Sequence, residues 1–288
     1  MPGRSNRAAF AFAAFAAIAG PACGHAAEDM NADVLRVCAD PNNLPFSNQA
    51  KQGFENRLAD MMAAELGRGE VSYTWWAQRR GFIRNTLKAG DCDVVIGVPA
   101  KLEMVATTRA YYRSSYVFVT RADRHIDMAS LADPRLKSLR IGVHLIGDDG
   151  ANTPPATILG HEGIVDNVVG YTIYGDYREP NPPARLIQAV VDGDIDIAAA
   201  WGPLAGYFAG RSPVPLTVRL ITDRADQPAY ALQFDVAMGV RKQDKALRAQ
   251  LDRAIARRQA DIEALLKSYG VPLLPPLDGG SESAQGRR

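Results

Sequence analysis

The chain has 288 residues, 47% hydrophobic and 23% charged, and its 33 basic and 32 acidic side chains leave a formal net charge of +1. That balance excludes an electrostatic footprint for nucleic acid or for an anionic membrane surface. Four histidines and three cysteines argue against a metal-centred protein, while the apolar content and length suffice for two cored domains.

The first residues combine Arg4 and Arg7 with an apolar run from Ala8 to Ile18 and small residues from Ala19, the layout of a secretory signal. Gly24-His25-Ala26 supplies the small residues that a signal peptidase reads, which predicts cleavage after Ala26 (segment 1–26) and export to the periplasm. The run falls short of the roughly 20 residues a bilayer core requires, so no membrane anchor is expected. A lipid anchor at Cys23 is disfavoured because Gly20-Pro21-Ala22 lacks a branched aliphatic residue. Cleavage removes two arginines and no acid, which brings the charge to −1. It also removes Cys23 and leaves Cys38 and Cys92 as an even pair in an oxidising compartment.

Leu35 to Ala39 reads as a buried strand, broken by the turn residues Asp40-Pro41-Asn42-Asn43. Phe54, Leu58, Met61, Met62 and Leu66 recur at helical spacing until Gly67. Val71 to Trp76 alternates as a strand, Phe82 to Leu87 is helical up to Gly90, and Cys92 to Gly97 is again an apolar strand. Strands alternating with helices imply a parallel sheet covered on both faces.

The second half echoes the first. Leu35-Arg36-Val37 is answered by Leu139-Arg140-Ile141, and Gly90-Asp91-Cys92-Asp93 by Gly193-Asp194-Ile195-Asp196. Ile83 and Leu87 are matched by Leu186 and Val190 in the preceding helices. The four aspartates fall at helix-to-strand turns and are read as structural. Asn152-Thr153-Pro154 and Asn181-Pro182-Pro183 carry helix-start chemistry. Phe234 to Val240 reads as a strand, followed by a long helix with Leu247, Leu251, Ile255, Ile262 and Leu265 on one face, capped by Asp244 and stopped by Gly270 and Pro272. These last elements have no counterpart in the second repeat and are expected to return to the first lobe. The reading is an α/β protein of two lobes, each a doubly wound, mostly parallel sheet, with two hinge crossovers near Tyr116–Arg121 and Phe234–Gly239. Lobe one takes 33–120 and 234–277 and lobe two 121–233, with 278–288 a Gly/Ser-rich, disordered tail.

Ligands of open α/β sheets bind beyond the carboxyl ends of the strands. That rule selects Asp40 to Phe46, Gly97 to Ala100, His144 to Asn152 and Trp201 to Leu204. Asp40, Asn42, Asn43, Phe46, Gly97, Pro99, Asp148, Asp149, Asn152 and Trp201 are therefore candidate cleft residues for a ligand or a partner. Trp75, Trp76 and Tyr111 join them as aromatic residues near strand ends. No G-x-S-x-G, C-x-x-C, H-E-x-x-H or G-x-x-x-x-G-K occurs, so neither a catalytic residue nor a metal ligand is assigned.

Longer motifs add a resemblance. Leu35 to Asn48 (L-R-V-C-A-D-P-N-N-L-P-F-S-N), Tyr73 to Phe82, Thr107 to Val119, Gly147 to Pro155, Tyr174 to Arg185 and Trp201 to Tyr207 (W-G-P-L-A-G-Y) resemble the solute-binding proteins associated with quinoprotein methanol dehydrogenases, the MxaJ/XoxJ type. The resemblance covers the chain through about Pro276. It implies a type II periplasmic-binding fold and no cofactor of its own. It also implies a role beside a pyrroloquinoline-quinone (PQQ) methanol dehydrogenase, in maturation or activation rather than import, with the dehydrogenase's cytochrome c a second candidate partner. The alternative is the substrate-binding component of an ABC transporter for a small organic solute.

Amino-acid binders of the wider superfamily hold the ligand carboxylate with an Arg after the third strand and the ammonium with an Asp in the second lobe. Matching through Asp93 to Gly97 puts Lys101 at the Arg, and matching through Asp196 to Ala200 puts Trp201 at the Asp. Lys lacks the bidentate fork, and Trp cannot compensate an ammonium charge. Free amino acids are thus poor candidates, and an apolar or partner-filled cleft is expected. If the strand ends are level, Cys38 and Cys92 stand about three residues apart at roughly 3.3 Å each, beyond the roughly 7 Å that a disulfide spans. A disulfide between staggered strands and two free buried thiols both remain open.

Overall fold

A computed structural model of the chain describes residues 33–146, 152–173, 179–223 and 230–275. The segment read as a secretory signal, the loop with Asp148 and Asp149, and the tail from residue 278 lie outside the described residues.

The first half runs β1 (Val34–Ala39), β2 (Asn42–Asn43), β3 (Ser47–Asn48), α1 (Phe54–Glu65), β4 (Glu70–Trp75), α2 (Phe82–Asn85), β5 (Val94–Pro99), β6 (Ala106–Thr107) and β7 (Tyr112–Arg121). The second runs β8 (Ile141–Leu145), α3 (Pro154–His161), β9 (Val168–Thr172), α4 (Arg185–Asp192), β10 (Ile197–Trp201), α5 (Gly202–Ala209) and β11 (Leu216–Leu220). The chain closes with β12 (Gln233–Val240) and α6 (Lys245–Ser268). In each half the first strand is central and parallel to both neighbours, β1 between β4 and β5, β8 between β9 and β10. This is the β-α-β repetition that the echoed motifs encode.

One strand joins the halves. Residues 112–115 of β7 pair antiparallel with β12, and residues 116–120 pair antiparallel with β10. The backbone therefore passes from lobe one to lobe two between Ser115 and Tyr116. The stretch Tyr116 to Arg121 lies between β10 and β11 and belongs to the second lobe's sheet rather than to a hinge. β12 returns antiparallel to β5, giving the strand order β4-β1-β5-β12-β7-β10-β8-β9.

Packing follows the periodicities. Phe54, Leu58 and Met62 of α1 and Leu251, Ile255, Ile262 and Leu266 of α6 are buried in one core with Leu35, Val37, Val94 and Ile96. Leu265 falls at the margin and Leu266 inside, because 24 residues of 3.6-fold helix drift around the axis. The second sheet is covered on both faces, by Phe118, Ile141, Val143 and Leu159 on one side and by Val119, Leu186, Val190 and Leu204 on the other.

The structure pairs Cys38 with Cys92 as a disulfide, Cα atoms 5.5 Å apart. The level-strand estimate failed on the path of the chain, not on the register: Cys38 is still opposite Val95, three residues beyond Cys92. β5 starts only at Val94, and Cys92 instead packs with Cys38, Phe82, Leu87 and Val95 in a small core of its own.

Candidate functional site

The carboxyl ends of β1, β5, β8 and β10 meet between the lobes around a cavity of about 470 Å³. Lobe one contributes Asn43, Phe46, Glu55, Gln78, Gly97, Val98 and Pro99; His144, Ile146, Pro154, Ile173, Pro183, Trp201 and Leu204 come from lobe two. Tyr112, Tyr116, Phe234 and Val236 of the crossing strands form its back wall.

The loop after β1 is built around Asp40. Its Oδ1 accepts from Asn42 N at 2.8 Å and its Oδ2 from Gln78 N at 2.7 Å, while Ser47 Oγ donates to its carbonyl at 2.8 Å. The loop then delivers the Pro45 and Phe46 carbonyls to Phe54 N and Glu55 N at 2.8 and 2.9 Å, satisfying the first free donors of α1. So close an approach requires Gly53, where a Cβ would stand 1.9 Å from Phe46 O. Glu55, in the first helical turn, then reaches the cavity beside Gly97. A Cβ on Gly97 would lie 2.0 Å from Glu55 Oε1, so glycine is needed for the carboxyl to lie there.

Burial, with Asp40 adding to it, pushes the Glu55 carboxyl up to about 8. Burial pushes His144 down to about 4, opposed by Pro183 O at 3.2 Å from Nε2. A carbonyl can only accept, so Nε2 carries the ring proton. Burial also raises the hydroxyls of Tyr112 and Tyr116. All four ionisable lining groups are thus predominantly neutral near pH 7, and among the described residues no Arg or Lys lines the cavity. Trp201 sits edge-on to Tyr116 and Phe234, ring centroids 5.3 and 5.8 Å away, making an aromatic wall.

Of the residues selected from the sequence, Asn43, Phe46, Gly97, Pro99 and Trp201 are brought together at the cavity. The others among the described residues fall elsewhere. Asp40 is a buried loop pin whose oxygens are engaged by backbone donors. Asn42 spans the lobes: its Nδ2 donates to Glu179 O at 2.7 Å and its Oδ1 accepts from Asn181 N at 3.1 Å. Trp75 stacks on Tyr73 against the first core, and Trp76 is 41% exposed. Lys101 is exposed in the turn beyond β5. Tyr111 is fully buried with its hydroxyl donating to Ile96 O at 3.0 Å, so it belongs to the sheet core. Asn152 is exposed and bridges Leu145, outside the lining. His144, Ile146 and Leu204 lay within the strand-end segments but were not singled out, and Glu55 lies in α1, outside those segments. Among the described residues no group of three or more His, Cys, Asp or Glu could hold a metal, and no helix is long and apolar enough to cross a membrane.

Two lobes with a cavity at the facing strand ends define a solute-binding protein of the periplasmic-binding fold. Residues 35–272 match the bacterial extracellular solute-binding proteins, family 3, and the chain belongs to that family. It is 36% identical to Protein MoxJ of Methylorubrum extorquens over 257 residues, covering 85% of this chain and 83% of that protein. Protein MoxJ of Paracoccus denitrificans is 33% identical over 251 residues, covering 84% and 89% respectively. Among solved structures, the periplasmic binding protein XoxJ from Methylobacterium extorquens AM1 superposes with a TM-score of 0.68 at 37% identity, covering 84% of this chain and 99% of its own. The resemblance drawn from the motifs holds across most of the chain.

Proposed function

We propose that the chain is a periplasmic accessory protein of a PQQ-dependent methanol dehydrogenase system that assists maturation or activation of the dehydrogenase through protein contact. The observation that carries this reading is a cleft without anchoring charge. An amino acid's carboxylate and ammonium would be desolvated there without an opposite charge, at a cost of several kcal/mol per ion. The likeness to the MoxJ proteins supports a methanol-oxidation setting, and the signal-like first 26 residues support export. The test is copurification of tagged full-length protein with dehydrogenase components, together with deletion of its gene. Recovery of the dehydrogenase and loss of its activity on deletion are expected; unchanged dehydrogenase activity in the deletion strain sinks the reading.

The cavity between the lobes, of small-molecule size, favours a second reading, a transporter's receptor for a small uncharged solute. A micromolar solute that closes the lobes in solution scattering, with uptake lost on deletion, would favour it.

A further inference from the structure

The cleft's chemistry is divided by region. At its back, Trp201, Tyr116 and Phe234 meet edge to face. At the lobe-one side, Asn43 Nδ2 donates to Gln78 Oε1 at 3.3 Å and Gln78 Nε2 to Gly97 O at 3.5 Å, with the Glu55 carboxyl against the same Gly97. These long hydrogen bonds leave the two amides free to exchange partners with a ligand oxygen. The cavity volume lies within the roughly 300–1,000 Å³ of small-molecule sites.

We infer that the cleft is a binding site for an uncharged small molecule with an apolar ring or chain and one hydroxyl or carbonyl oxygen, the apolar part against Trp201 and the oxygen at Asn43, Gln78 and Glu55. This rests on the reading of the cleft as the binding site of a solute-binding protein and adds the class of ligand to it. An alcohol or ketone satisfies the polar end without bringing a charge into a wall that cannot neutralise it. Glu55, held as the acid by burial and by Asp40, donates to the ligand oxygen; once ionised it can only accept, which opposes a carbonyl oxygen but still suits a hydroxyl that donates to it. The other titratable groups acting with it are Asp40 and the tyrosines Tyr73, Tyr111 and Tyr112, none of them cationic.

Benzyl alcohol, benzoate and benzylammonium carry one ring and three charges, which makes them suitable probes for titration calorimetry on the full chain. At pH 6.5 benzyl alcohol is expected to bind at least about tenfold tighter than either ion. Trp201→Ala should weaken it about tenfold or more, with Trp201→Phe intermediate as a variant that keeps a ring in the wall. With acetophenone, whose carbonyl oxygen can only accept, raising the pH to 9 should weaken binding to the unmodified chain but not to Glu55→Gln. Equal or tighter binding of either ion, no heat with benzyl alcohol at millimolar concentration, or indifference to both Trp201 variants overturns the inference. Copurification of the dehydrogenase requires none of these probes, so the accessory reading stands or falls separately.

Discussion

Arg36 grips Asp93 through two hydrogen bonds, Nε to Oδ2 at 3.0 Å and Nη2 to Oδ1 at 2.5 Å, and its Nη1 donates to Gly90 O at 2.9 Å. Lobe two repeats the device with Arg140, which donates from Nη2 to Gly193 O at 2.6 Å and from its backbone N to Asp196 Oδ2 at 2.8 Å. Both glycines turn with positive φ, +88° and +77°, which L side chains rarely adopt. The echo of Leu-Arg and Gly-Asp-x-Asp is thus the sequence trace of a clamp tying the start of the first strand to the start of the third. In lobe one Arg241, at the end of β12, also donates to Asp93, at 2.9 Å. Burial works against ionisation of Asp93, but the hydrogen bonds from Arg36 and Arg241 outweigh it and hold the carboxyl below its usual range. Asp93→Ala removes the carboxylate that two partly buried guanidinium groups share, while Arg36 keeps Gly90 O and Arg241 keeps Asp244, and is expected to cost about 2 kcal/mol. Asp196→Ala, whose arginines are about half exposed, should cost under about 1 kcal/mol. Urea unfolding of the two variants checks the difference; equal losses would show that the clamps are not what separates the lobes' stabilities.

Glu55 and His144 give opposite pH dependences. The folded-state pKa of Glu55 is raised to about 8 by burial and Asp40, so its contribution is present below about 4.5 and lost as pH rises through 8. That of His144 is lowered to about 4 by burial, so its contribution is present above about 6.5 and lost as pH falls through 4. Between about pH 4.5 and 6.5 the two slopes cancel. From 6.5 to 8 only Glu55 titrates, and stability should fall by roughly 2 kcal/mol. Glu55→Gln should remove that fall and expose the histidine, so that stability rises from pH 4.5 to 6.5 by roughly 3 kcal/mol and then levels. Denaturant midpoints across this range read both effects. A variant profile parallel to the parent's would rule out Glu55 as the titrating group.

The parts legible in the sequence were those fixed by local chemistry. The Arg36/Arg140 and Asp93/Asp196 echo located two α/β units, and β1, α1, β12 and α6 followed from periodicity and caps. Several strands were not read; two of them, β9 (V-V-G-Y-T) and β11 (L-T-V-R-L), are mostly exposed, so no apolar alternation marks them. At the site, the strand-end rule found Phe46, Gly97 and Trp201 because topology alone puts them there. It could not find Glu55, which reaches the cavity only because Gly53 and Gly97 allow close approach. Tyr111, chosen as an aromatic residue near a strand end, precedes β7 and is buried in the lobe-one core with its neighbour Tyr112, ring centroids 5.1 Å apart, and only Tyr112 also lines the cavity.

The Cys38–Cys92 bond closes a loop of 54 residues from β1 to the turn just before β5. A loop of that length corresponds to about 4 kcal/mol of chain entropy removed from the unfolded state, and native-state strain can only reduce the gain. Reduction or Cys38→Ser with Cys92→Ser should lower the melting temperature by about 8–15 °C, at 2–4 °C per kcal/mol for a chain of this size. Alkylation in denaturant without reductant should modify neither Cys38 nor Cys92, and both after reduction. Uptake at both sites before reduction would mean that the thiols are free in the exported protein.

Asn42 acts as a side-chain substitute for a β-strand partner across the lobes. Its amide donates to Glu179 O and accepts from Asn181 N, two backbone groups on the segment that leads into Pro182-Pro183. Asn181 holds φ of +50°, a conformation asparagine adopts more readily than most residues, and this turn also presents Pro183 O to His144. The contact therefore links the rim of lobe one to the wall of the cavity in lobe two. Asn42→Ala loses both hydrogen bonds, at about 1 kcal/mol each, which is enough to shift a lobe equilibrium severalfold toward the open form. Asn42→Asp keeps an acceptor for Asn181 N but places an anionic oxygen against the Glu179 carbonyl, so it should open the lobes at least as much. A larger radius of gyration in solution scattering and faster amide exchange at Asn181 are expected for both variants. If neither quantity moves, the lobes are held by the packing behind Trp201 and Phe234 and the Asn42 contact is incidental.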